Sequence, residues 1–202
     1  MAPPRKHETD VILDAARALV LDGGPRAASV AAIAKSSGAP PGTLYHRFGN
    51  RDGILIAAWL RALERFQTRA MAAAAEPPTQ DAMETATAMA VSAITFAREL
   101  PQDARLLLTI RPTDLLDDEP GTEFQETLTA MNAPLTKRIA ALARQLYGHS
   151  DSRSVDAVAR AVADLPYAVV RRHAHDEPMP SWLETDVAAS VRAVLEGFGE
   201  RA

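Results

Sequence analysis

Thr43, Tyr45, His46 and Arg47 stand within five residues of one another, and Arg51 follows four residues later. A hydroxyl, a phenol, an imidazole and two guanidiniums form a set of donors and cations suited to phosphate oxygens and to base edges in a DNA groove. The reagents of a catalytic centre are missing. Cysteine is absent, which removes disulfides, thiolate metal sites and thiol nucleophiles. No Gly-x-Ser-x-Gly or phosphate-loop motif occurs, and no histidine has a glutamate three residues before it, as a carboxylate-bridged iron site in a helical bundle requires. Neither an enzyme nor a cofactor is expected.

His173, His175, Asp176 and Glu177 have the residue types of metal ligands. A histidine pair two residues apart does not share a helix face, however, and polar residues past a helix end form an ordinary solvated loop. Asp114, Asp117, Asp118 and Glu119 lack the glycine and closing glutamate of a calcium loop. No metal is expected.

These side chains need elements to hold them. The 202 residues are 47% hydrophobic but only 5% aromatic, a balance that favours helices packed through small side chains. The expectation is an all-α fold of about nine helices. Ile12, Ala15, Ala16, Leu19 and Val20 recur at helical spacing up to a Gly23-Gly24 stop. Ser29 offers an N-cap to a two-turn helix carrying Ile33 and Ala34 and ended by Gly38. Pro40-Pro41 then suits the first turn of a second short helix with Leu44, Tyr45 and Phe48. Longer amphipathic helices follow: from Asn50 to Ala75, closed by Pro77-Pro78, from Thr79 to Leu100, and briefly from Pro101. Others run from Thr122 to Gly148, from about Asp151 past Pro166 to about His173, and from a Ser181/Glu184 capping box through Phe198.

The net charge of −4 is unevenly placed. Residues 1–53 carry seven Lys/Arg against five acids, a balance of +2 that leaves −6 on the remainder. Only the first quarter suits an anionic partner. Met1 to Asp10 lacks the apolar core of a signal peptide, and no stretch approaches the roughly 20 apolar residues that cross a bilayer. The expected location is the cytoplasm, with no membrane partner.

Two short helices joined by a glycine-bearing turn can present one helix to a DNA major groove while the other braces it. The segment Ser29 to Leu55, SVAAIAKSSGAPPGTLYHRFGNRDGIL, resembles the DNA-binding signature of the tetracycline-repressor (TetR) family of regulators. The resemblance rests on Ile33-Ala34, Gly38, Gly42-Thr43-Leu44-Tyr45, Phe48 and Arg51. It covers about the first 60 residues; the rest agrees in helix number and length. It implies a helix-turn-helix domain over residues 1–53 and a helical ligand-binding and dimerisation domain over residues 54–202. It further implies that Thr43, Tyr45 and Arg51 contact DNA, mostly its backbone. Ser29, Lys35, Pro41, Gly42, His46 and Arg47 complete the expected contact set. Direct readout rests on Thr43, His46 and Arg47, because Pro40 and Pro41 have no N–H to offer a base.

The expected function is a ligand-responsive DNA-binding regulator, a repressor released from a palindromic operator by a small, mainly apolar molecule. The alternative is a helical small-molecule-binding protein or enzyme without DNA binding. Trp59, Phe66, Met89, Phe96, Phe124, Met131 and Tyr167 are the expected pocket lining. Val158, Val162, Val169, Val187, Val191, Val194 and Phe198 lie along stripes on the last two long helices, and the resemblance implies a homodimer seam there. Two heads on one duplex would double the phosphate contacts of a weakly basic domain.

Overall fold

The computed structural model describes residues 5–75, 81–116 and 121–200, with side chains from Thr9 onward. Pro77, Pro78, Thr79, Asp117, Asp118 and Glu119, to which the sequence assigns helix boundaries and acidic loop residues, lie outside the described residues. All regular structure among the described residues is helical.

Local chemistry sets the first elements. Helix α1 (Arg5–Gly23) stops at the glycine pair and leads into a 3-10 turn, Pro25–Ala27. The Ser29 hydroxyl accepts the Ala32 amide at 3.2 Å and so caps α2 (Val30–Ser37). Ser29→Ala is expected to cost about 1 kcal/mol, within the usual range for losing such a cap, which chemical denaturation of the two proteins would measure. Gly38 ends α2 at φ +70°, in the left-handed region where a side chain is disfavoured. Pro41 opens α3 (Pro41–Phe48) at a position that needs no amide hydrogen, while the Pro40 carbonyl accepts the Thr43 amide at 2.9 Å. Asn50 caps α4 (Arg51–Ala74) by accepting the Gly53 amide at 2.8 Å. A Cβ on Gly53 would stand 2.0 Å from the Phe48 carbonyl oxygen, so only glycine permits this close approach of α4 to the end of α3.

The chain divides into two compact units, residues 1–63 with 102–125, and residues 64–101 with 126–202. The first unit contains α1, α2, α3, the opening half of α4, nearly all of α6 (Pro101–Thr109) and α7 (Pro112–Leu115). Ile12, Val20, Ile33, Leu44, Ile54, Leu55, Leu106 and Leu115 are almost completely buried in it. Three side chains of the N-terminal helices hold the later segment: Arg17 pairs with Asp103, Arg51 donates to the Leu115 carbonyl at 3.2 Å, and the Trp59 indole donates to the Ile110 carbonyl at 3.2 Å. Asp114 is exposed in α7, its carboxylate accepting the Arg111 amide at 3.1 Å.

The second unit is built on α5 (Ala82–Glu99), most of α8 (Thr122–Tyr147), α9 (Ser152–Ala159), α10 (Leu165–Arg172) and α11 (Leu183–Gly199). Helix α5 packs against α10 and α11. A π turn, Arg160–Asp164, joins α9 to α10, with the Leu165 amide reaching back five residues to the Arg160 carbonyl. Pro166 accounts for it: the ring would collide with the Val162 carbonyl in a regular helix, and one extra residue in the turn absorbs that misfit. The Ser181/Glu184 capping box does not form. Trp182 occupies the cap position without a side-chain bond, and Glu184 pairs instead with Arg98, which also donates to the Pro180 carbonyl at 2.6 Å. An arginine with two partners outcompetes a local cap. No helix of the described residues is long and apolar enough to cross a membrane.

Candidate nucleic-acid interface

Helix α3 is eight residues long, so each face has one or two side chains. Leu44 is fully buried, and it orients the rest. Gly42 and His46 are exposed, Thr43 is half-buried, and Tyr45 is 54% exposed. Gly42, Thr43, His46 and Arg47 line one shallow concavity. Pro41 and Lys35 are also exposed, Lys35 in the last turn of α2. The face thus offers a phenol, an imidazole, a hydroxyl and an ammonium, with no acidic residue in α2 or α3.

Three of the expected contact residues have work inside the protein. Ser29 spends its hydroxyl on the α2 cap. Arg47 is half-buried and donates to the Thr9 hydroxyl of α1 at 3.0 Å. Arg51 is 18% exposed; its guanidinium donates to the Pro25 carbonyl at 2.6 Å, to the Leu115 carbonyl at 3.2 Å and to the Asp52 carboxylate at 2.6 Å. The two carbonyls that hold Arg51 come from the 3-10 turn and α7, so no spacing rule in the sequence announces them.

The expected pocket residues fall into both units. In the first, Trp59 is buried and meets the half-buried Phe124 edge to face at 6.4 Å between ring centres. In the second, Phe66 meets Phe96 edge to face at 5.4 Å, Met89 and Phe96 are buried, and Met131 is half-buried. The Arg69 guanidinium lies over the Phe96 ring at 5.7 Å. Gln67 is buried beside them and donates to Asn132 at 2.7 Å. Tyr167 departs from the expectation, since it is 46% exposed on α10. Of the expected seam residues, Val158, Val162, Val187, Val191 and Phe198 are buried within the protomer, and Val169 and Val194 are half-buried. Helical spacing shows which face is apolar; it does not say whether α5 of the same chain or a partner covers it. The His173 imidazole lies 2.6 Å from Asp176, and no group of metal-ligating residues occurs among the described residues.

A short capped helix, a left-handed glycine turn and a second short helix with its polar face outward define a helix-turn-helix. Residues 12–58 match the family described as bacterial regulatory proteins, tetR family. Over 60 residues it is 43% identical to the HTH-type transcriptional regulator UidR of Escherichia coli K12, a match that covers 28% of this chain and 31% of that regulator. The matched segment is thus about a third of the length of that curated relative. Across nearly the whole chain the fold is that of a TetR-like transcriptional regulator from Rhodococcus sp. RHA1, with a TM-score of 0.69, 18% identity and 96% of each chain covered. The putative transcriptional regulator of Pseudomonas aeruginosa PAO1 shares it with a TM-score of 0.76 at 15% identity, covering 98% of this chain and 93% of that one.

Proposed function

We propose that the chain is a DNA-binding transcriptional regulator, a repressor that sits as a homodimer on a palindromic duplex and leaves it when a small, mainly apolar molecule binds. The observation that carries this reading is the outward face of α3, where Tyr45 and His46 stand exposed while Leu44 is locked inward. Residues 1–53 act as the DNA-binding domain, and residues 54–202 sense the effector and dimerise. Tyr45 and Lys35 bind phosphates, which fixes position without reading sequence. Thr43 and His46, with Gly42 allowing close approach, read base edges. Arg47 and Arg51 serve the face from behind through Thr9, Pro25 and Leu115.

The edge-to-face pair Phe66–Phe96 and the buried Met89 in the second unit, with the Gln67–Asn132 hydrogen bond in the same unit, support a mainly apolar effector. The seam shifts from the buried valines to what α10 and α11 leave outside: Ala168, Ala189, Ser190 and Ala193, flanked by Trp182 and Tyr167. Binding-site selection on random duplexes tests the reading. The wild type should recover a palindrome, His46→Ala should relax preference at one position of each half-site at a cost of about 1–3 kcal/mol, and Tyr45→Phe should weaken all duplexes alike. Recovery of no sequence by the wild type would leave a ligand-binding protein without an operator.

A further inference from the structure

Asp103 is the one aspartate or glutamate among the described residues with a side chain fully closed to solvent, and the α3 face makes no use of it. It lies in the first turn of α6 and pairs with Arg17 of α1. The same guanidinium donates to Gln102 at 2.8 Å and lies 3.1 Å from Asp14. Arg61 of α4 continues the chain, donating to the Asp10 carboxylate at 2.8 Å, to the Asp10 carbonyl at 3.2 Å and to Asp14. Next to Asp10, Thr9 accepts the Arg47 guanidinium of α3. One helix is thus pinned to α6 and α4 through its middle and to α3 through its start.

We infer that Arg17 and Asp103 are positioning residues for the recognition helix, setting the register of α1 along α6 and, through Thr9 and Arg47, the placement of α3. The inference rests on the DNA-binding reading of α3. Its physical basis is the difference between apolar and ionic contacts. The apolar contacts of α1, which buries Ile12, Leu13, Ala16 and Val20 and packs on α2, are non-directional, whereas a buried ion pair is directional, and either partner moved out of range is left charged in a dry interior. Such a pair contributes little net stability relative to apolar groups of similar volume; what it supplies is a unique arrangement.

That difference gives the test, made on the full chain with a duplex recovered by the wild type. Arg17→Met with Asp103→Leu should leave helix content and melting temperature near the wild type, yet lower affinity for the selected duplex at least tenfold. Affinity for a scrambled duplex should fall less, because phosphate contacts tolerate a misplaced helix. Arg17→Lys, which keeps the charge, should retain most of the affinity. Should the double variant fail to fold, Asp103→Asn keeps the volume and a hydrogen bond to Arg17, and a several-fold loss of selected-site affinity with unchanged circular dichroism is expected. Wild-type affinity in a folded double variant or in Asp103→Asn overturns the inference while sparing the reading of α3. A wild type that recovers no duplex overturns both.

Discussion

Leu44→Ala is expected to lower the stability of the first unit by about 2–5 kcal/mol and to abolish binding to selected and scrambled duplexes alike. Leu44 has no accessible surface, and α3 has no other fully buried side chain to anchor it. Truncation removes the transfer free energy of three carbons and leaves a cavity that eight residues of helix cannot close around. Thermal unfolding followed by circular dichroism, with duplex affinity measured below the transition, checks both halves. A variant that melts with the wild type would show that α3 is held by something other than its core leucine.

Arg51→Ala separates two accounts of a residue that the family resemblance assigns to the DNA backbone. A guanidinium that only met phosphate would weaken binding and leave the melting temperature alone. Here it is largely buried and joins the Pro25 carbonyl to the Leu115 carbonyl. Hydrogen bonds to a charged group are worth more than neutral ones, and losing this set is expected to destabilise the first unit by about 1.5–3 kcal/mol. Affinity should then fall for every duplex in parallel with the loss of folded head. Arg51→Lys should recover only part of the stability, since an ammonium does not reproduce the planar fork that reaches two carbonyls in different segments. An Arg51→Ala protein of wild-type stability and reduced affinity would return the residue to the DNA contact set.

The helix-turn-helix was legible because every instruction for it is local. Ser29 three residues before the amide it caps, Gly38 at a left-handed turn, Pro41 where no amide is needed and Leu44 among polar neighbours act within a few residues of one another. The charge split pointed to the same segment. Gly53 was equally readable in principle, but its reason, a carbonyl 2.0 Å from where a Cβ would lie, appears only when α4 meets the end of α3.

Short-range effects of capping, proline, glycine and the 3.6-residue period were enough for the helical class, most of the helices and the outward face of α3, but not for the π turn after Ala159 or the short α7. Tertiary structure alone decided the partners. Arg51 found carbonyls 26 and 64 residues away, Asp103 found Arg17 at a separation of 86, and Glu184 left its own helix end for Arg98 at the same separation. The valines of the last helices turned inward because α5 packs on α10 and α11, and an apolar stripe is indifferent to which apolar surface covers it. Hydrophobic burial is non-directional, so pattern shows the face that must be covered; only the folded chain shows by what.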